Sequence, residues 1–142
     1  MDVDRAELAA HLDDVVIGLR RRTLTRQGLS LTAAATLTTL RHSGPTRLTE
    51  LAATEGVAQP SMTTLVARLA EQGLVERQGD PTDGRAVLVA LTPAGADLLD
   101  RRRTARAERL SRPLSQLADD DVAQITAALP ALARLAGVLT HN

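Results

Sequence analysis

The 142-residue chain contains no cysteine, phenylalanine, tyrosine, tryptophan or lysine. Without cysteine there is no disulfide, no thiol redox switch and no thiolate metal site. Without aromatic rings the core has to be assembled from Leu, Val, Ile and Ala, and nothing can stack on a ligand. All 17 basic residues are arginine; we read this, and the abundance of alanine, as coding bias. Net charge is missing too, because 17 acidic residues offset the arginines. Bulk electrostatics therefore does not make the chain a nucleic-acid binder, and any such binding has to come from local geometry. No uninterrupted apolar run approaches the ~18 residues of a membrane span. The opening Met1-Asp2-Val3-Asp4 is acidic and starts no apolar signal region. These absences predict a cytoplasmic protein with no membrane partner.

What is present fits one domain. Hydrophobic residues make up 44% of the chain, enough for a core that buries roughly two-thirds of the unfolded surface. Leu8, Leu12, Val15, Val16 and Leu19 recur at three and four residues and predict a helix over 5–23. Leu24 to Leu31 reads as a loop. Thr32 is expected to cap a second helix through Leu37 and Leu40, stopped by Ser43-Gly44-Pro45. Thr49 is expected to cap a short third helix over Leu51 and Ala52, closed by Gly56. Pro60 suits the first position of a fourth helix, whose stripe is Met62, Leu65, Val66 and Leu69 and which Gly73 ends. Two short helices around a tight Gly turn make a helix-turn-helix.

The period then changes. Leu74 to Gln78 and Arg85 to Leu91 predict strands, joined by the turn residues Gly79-Asp80-Pro81-Thr82-Asp83-Gly84. Thr92-Pro93 caps and starts a fifth helix that runs at least to Ser111, with Pro113 ending or kinking it. Asp119, Asp120 and Asp121 open the last helix. Its seam of Val122, Ile125, Leu129, Leu132, Ala136 and Leu139 is heptad-like, and Pro130 should bend it. The expected fold is mainly α with a small β-hairpin wing (α+β). A winged helix-turn-helix at about 32–92 is flanked by helical arms at about 5–23 and 93–140 in one domain over 1–142.

A helix with one buried face and one face of short polar side chains fits the major groove of DNA. With Met62, Leu65, Val66 and Leu69 inward, Pro60, Thr64, Ala67 and Glu71 lie opposite and Ser61, Thr63 and Arg68 lie on the flanks. Gln59, Ser61, Thr63 and Thr64 gather at the helix start, where hydroxyls, amides and the dipole meet phosphates or base edges. At the hairpin, Arg85 adjoins a tip of little bulk, suited to a narrow minor groove. Asp83 is expected to hold the Arg85 side chain by a charge-assisted hydrogen bond. One count opposes this reading. Over residues 41–85 five arginines face six acids, a net charge of −1.

The segment D-G-R-A-V-L-V-A-L-T, Asp83 to Thr92, resembles the Asp-x-Arg-x5-Leu-Thr signature of the MarR/SlyA transcriptional regulators. Q-P-S-M-T-T-L-V-A-R-L-A-E-Q-G-L-V-E-R, Gln59 to Arg77, is similar to that family's recognition helix and first wing strand. Leu31-Thr32, Gly44-Pro45 and Leu48 to Ala52 also fit. The resemblance implies a homodimer whose first and last two helices interlock. It implies two lobes reading a pseudo-palindromic operator on double-stranded DNA, with a repressor as the expected role. By matched position, the DNA contacts are Gln59, Pro60, Ser61, Thr63, Thr64 and Arg68 on the helix, and Asp83, Gly84 and Arg85 at the wing. Thr64 stands where many relatives carry Arg, and Thr82 and Gly84 where wings often carry further Arg. The resemblance also implies a small-molecule effector of unspecified identity, for which Arg20, Arg21, Arg22 or His42 are candidate anion partners.

A rival reading is a winged-helix protein-interaction module that has lost operator binding; the charge of −1 and Thr64 favour it. An enzyme is not expected, since no nucleophile motif, phosphate-cradling loop or dinucleotide fingerprint occurs. No cofactor is implied. His11, His42 and His141 are too dispersed to suggest a metal site. The arginine-rich stretch from Arg101 to Arg112 reads as a solvated face or as one paired with acidic residues elsewhere, with contact to the DNA backbone as the alternative.

Overall fold

The computed structural model describes residues 3–23 and 28–139. In chain order its elements are α1 (Arg5–Thr23), α2 (Leu31–Ser43), β1 (Thr46–Arg47), α3 (Leu48–Glu55), α4 (Gln59–Glu71), β2 (Val75–Gly79), β3 (Val87–Leu91), α5 (Pro93–Leu114) and α6 (Asp119–Leu139). The fold is mainly α with one small antiparallel sheet, as the sequence pattern predicts. The elements form two compact units. One holds α2 to α4, the sheet and the start of α5 up to Ala105; the other holds α1 and the chain from Arg106 onward.

The first unit carries the core. Leu37 and Leu40 of α2, Leu51 of α3, Met62, Val66 and Leu69 of α4 and Val89 of β3 are essentially solvent-free. These are the residues that the helical period and the strand alternation turn inward. Leu65, expected in the same stripe, is half-buried at its edge. Between α3 and α4 the chain reverses at Gly56, whose φ of 65° suits a residue without Cβ. Its N–H and that of Val57 bond back to the last turn of α3.

Two caps differ from expectation. Ser30, not Thr32, caps α2, its Oγ accepting from the Ala33 N–H at 3.1 Å. Thr32 lies inside the helix, where its carbonyl accepts the hydroxyl of buried Thr36 at 2.8 Å. Of the expected Leu24–Leu31 loop, residues 24–27 lie outside the described residues and Leu31 is already helical. At α3 the cap position is Arg47, which gives no side-chain cap, and Thr49 falls within the first turn. The reason is tertiary: Thr46 and Arg47 are held as strand β1 on β3, so the helix begins at once after them. Pro60 is the second helical residue, behind Gln59.

The sheet order is β1-β3-β2. A two-residue strand has no period, so β1 leaves no trace in the sequence. The hairpin strands start later than expected, at Val75 and Val87. Arg85 stays in the loop because Asp83 to Ala86 close a turn, the Ala86 N–H reaching the Asp83 carbonyl at 3.0 Å. Thr92 caps α5 as expected, accepting from the Gly95 N–H at 3.1 Å. Its hydroxyl also donates to the Gly73 carbonyl at 2.6 Å. Pro113 sits in the last turn of α5, which ends one residue later, and α6 runs unbroken through Pro130.

The second unit has the opposite character. Neither α1 nor α6 has a buried residue. Leu8, Val15, Val16, Ile17 and Leu19 on α1, and Ile125, Leu129, Leu132, Leu135, Val138 and Leu139 on α6, are all exposed in the single chain. Contrary to the expectation that no run approaches a membrane span, α6 is long and apolar enough to cross one by length and composition. Its three leading aspartates, Gln124, Thr126 and Arg134, together with its heptad spacing, suit a helix seam instead.

Candidate nucleic-acid interface

The start of α3, the start of α4 and the β2–β3 hairpin border one open cleft of about 390 Å³. Its polar lining is Arg47, Thr49, Gln59, Thr63, Arg77 and Arg85. Three guanidinium groups thus share one cleft in a segment whose net charge is −1. Arg77 arrives there by register. It pairs with Val89 and follows Val75 by two residues, so it extends the core-facing row of the sheet past the point where the core ends. Neither Arg77 nor Arg85 has an ion-pair partner among the described residues.

Of the residues expected to meet DNA, the cleft gathers Gln59, Thr63 and Arg85. Pro60, Ser61, Thr64 and Arg68 are exposed along α4 outside the cleft lining, and Asp83 and Gly84 are exposed at the hairpin tip. The hydroxyl protons of Thr63 and Thr64 are already committed, donating to the Gln59 and Pro60 carbonyls at 2.9 and 3.1 Å. They present acceptor lone pairs and methyl groups. The donors at this end are the Gln59 amide, the Ser61 hydroxyl and the first backbone N–H groups of α4, since Ala58 supplies no side-chain cap. Asp83 does not hold the Arg85 guanidinium. Its Oδ1 accepts from the Arg85 backbone N–H at 3.0 Å, shaping the turn and leaving the side chain free to reach.

Sequence reasoning missed Arg47, Thr49 and Arg77. Counting alternation from Val75 finds Arg77; nothing local finds Arg47. Arg47 is tied to Asp80, whose side chain is 6% exposed. Asp80 Oδ2 accepts from Arg47 Nε at 3.0 Å and lies 2.8 Å from Nη2 in an ion pair. Asp80 Oδ1 accepts from the Thr82 N–H at 2.9 Å and the Thr82 hydroxyl at 2.7 Å. The bonds from Thr82, then that from Arg47, hold the carboxyl down at about 2. The Arg47 guanidinium is correspondingly raised, mainly by its bond to Asp80.

A depressed carboxyl stabilises the folded state above its ordinary pKa of 3.8 and loses that contribution as pH falls toward about 2. An acid titration followed at the Thr82 amide resonance is expected to show a midpoint near 2. A midpoint at the ordinary value contradicts the carboxylate's three hydrogen bonds and its ion pair.

Elsewhere, Arg21 and Arg22 border an open concavity of about 540 Å³ on α1 with Asp14, Ile17 and Gly18; Arg20 does not line it. His42 is exposed on α2, in the other unit. Within the arginine-rich stretch Arg102 is buried, at 5% exposed. Among the described residues no three His, Asp or Glu side chains converge as metal ligands do.

The MarR family model matches residues 29–87, which span α2, the helix-turn-helix, β2 and the wing loop up to the first residue of β3. Over 118 residues the chain is 40% identical to the HTH-type transcriptional regulator ML2140 of Mycobacterium leprae, covering 81% of this chain and 82% of that protein. The chain belongs to the MarR family. This MarR-family chain matches the crystal structure of the transcriptional regulator Tm0710 from Thermotoga maritima with a TM-score of 0.77, 26% identity and 97% of each chain covered. A shorter likeness, 43% identity over 65 residues, or 46% of this chain and 41% of that protein, is to the HTH-type transcriptional repressor NicR of Pseudomonas putida. As a MarR-family member it is a DNA-binding transcriptional regulator and not an enzyme.

Proposed function

We propose that the protein is a repressor that binds a pseudo-palindromic operator as a homodimer and is released by a small-molecule effector. The observation that carries this reading is the cleft: Arg77 and Arg85 stand beside the first turn of α4 with no ion-pair partner among the described residues. On this reading α4 enters the major groove with Gln59, Ser61 and Thr64 at base edges or phosphates and Arg68 on the backbone. Arg85 enters the minor groove and Arg77 neutralises a phosphate between them. The exposed apolar rows of α1 and α6 support the homodimer, since a monomer gains nothing by leaving eleven large aliphatic side chains in water. Dimerisation sets two α4 helices one turn of DNA apart. The working unit is one domain over 1–142, with the reading lobe at about 32–92 and dimerisation helices at about 5–23 and 93–140. The likeness to the Pseudomonas putida repressor supports repression. The α1 concavity, with Ile17 beside Arg21 and Arg22, supports an anionic effector with an apolar body. A regulator of this kind works where the chromosome is, in the cytoplasm.

The test is a salt series of binding to the duplex flanking the protein's own gene. Arg85→Ala and Arg77→Ala are each expected to weaken binding at every salt concentration. Each should also flatten the log–log slope by about 1 per protomer, roughly 2 for a dimer. Unchanged slopes remove these arginines from the interface. No binding by the unmodified protein at low salt supports the protein-interaction module instead.

A further inference from the structure

We propose that Asp80 is a positioning residue for DNA reading: through Arg47 and Thr82 it ties the wing to the start of α3 and so presets where Arg85 points. The proposal rests on the interface described above and concerns what holds that interface ready.

Asp80 stands at the point where β2 leaves the sheet and the wing loop begins. Its two oxygens divide the work: one reaches a residue 33 positions away and the other folds the start of the loop back on itself. Oδ2 holds Arg47, the last residue of β1 and the one before α3, and Oδ1 holds both donors of Thr82, two residues into the loop. The Asp80 N–H also reaches the Ala86 carbonyl at 3.2 Å, closing the loop across its base. The loop from Pro81 to Arg85 is otherwise exposed and has no core residue of its own. Its conformation therefore depends on these bonds and on the turn that Asp83 shapes. Arg47 lines the cleft, yet its guanidinium faces a buried carboxylate, so it acts as a strut and leaves phosphate neutralisation to Arg77 and Arg85.

Electrostatics and positioning predict opposite signs for Asp80→Asn. The substitution removes a negative charge from a DNA-facing lobe, which by charge alone tightens DNA binding. It also breaks the strut, because an amide cannot hold the guanidinium as the carboxylate does. We expect binding to the flanking duplex to weaken about tenfold, a change of ~1.4 kcal/mol. Arg85→Ala should then cost less than about twofold in the Asp80→Asn background, against about tenfold in the native protein. Arg47→Ala should reproduce Asp80→Asn, and the two changes combined should add nothing further. Tighter binding by Asp80→Asn, or an Arg85→Ala loss of equal size in both backgrounds, overturns the proposal.

Hydrogen exchange of the wing amides supplies a readout that needs no DNA. Faster exchange at Thr82 and Ala86 in Asp80→Asn, with the amides of α2 and α4 unchanged, supports the strut. Unchanged wing exchange overturns it even if the native protein binds no duplex. Failure of the native protein to bind, with faster wing exchange in the variant, rejects the interface and leaves the strut standing.

Discussion

Replacing Gly95 by alanine is expected to lower the stability of the reading lobe by about 3 kcal/mol, the upper end of what overpacking a core costs. Helix propensity alone predicts the opposite sign, since Gly to Ala inside a helix gains about 1 kcal/mol. The clash decides. Gly95 is buried in the first turn of α5, and a Cβ there would overlap the Leu74 carbonyl oxygen and come within 2.6 Å of Leu91 Cδ1. The carbonyl has little room to yield, because it already accepts the Thr92 N–H at 3.1 Å. Beside it the Thr92 hydroxyl pins Gly73. Moving α5 outward breaks both bonds at the point where the helix leaves the sheet. Thermal unfolding should fall by about 10 °C for a chain of this size. Gly79→Ala is the control: nothing lies within 4 Å of its added Cβ, and its φ is not positive. A Gly95→Ala midpoint equal to the native one shows that α5 is not seated as tightly as this contact requires.

The second large effect concerns the arms. Leu129→Asp is expected to dissociate the dimer and abolish operator binding while leaving the lobe folded. In the single chain Leu129 is 55% exposed. A substitution at a surface site of that kind ordinarily changes stability by less than about 0.5 kcal/mol. In a two-fold interface the same change buries two unpaired carboxylates, one from each protomer, and that cost exceeds what the seam gains. Sedimentation equilibrium should then return the 15.1 kDa of one chain at concentrations where the native protein is a dimer. Amide protection in α2 and α4 should not change. A native-like mass for Leu129→Asp removes this stretch of α6 from the interface. Loss of lobe protection along with the mass would mean that the arms also hold the lobe together.

These expectations differ in how far local pattern could have reached them. The α6 seam is legible because Val122, Ile125, Leu129, Leu132, Ala136 and Leu139 recur every three or four residues. The structure adds that none of them is buried within the chain: Val122 is half-buried and the other five are exposed. The helix-turn-helix is legible for the same reason, with Gly56 marking the reversal. Gly95 is not: in sequence it is one glycine after Thr92-Pro93, and only the approach of Leu74 and Leu91 makes it irreplaceable. Charge misled in a similar way. The count of −1 over 41–85 treats five arginines and six acids as a pool, whereas three of those arginines border one cleft.

Side-chain chemistry and period settled by themselves the order of the helices and the hairpin, which faces of α2, α3 and α4 turn inward, and the polar start of α4. Those are properties of neighbours within about one or two turns of chain. Tertiary pairing decided the rest. Arg47 meets Asp80 across 33 residues because β1 lies on β3, and Arg77 reaches the cleft because β2 pairs with β3 in one register rather than another. A strand register shifted by one residue would send Arg77 to the opposite face, and no count of residues along the chain records which register is taken.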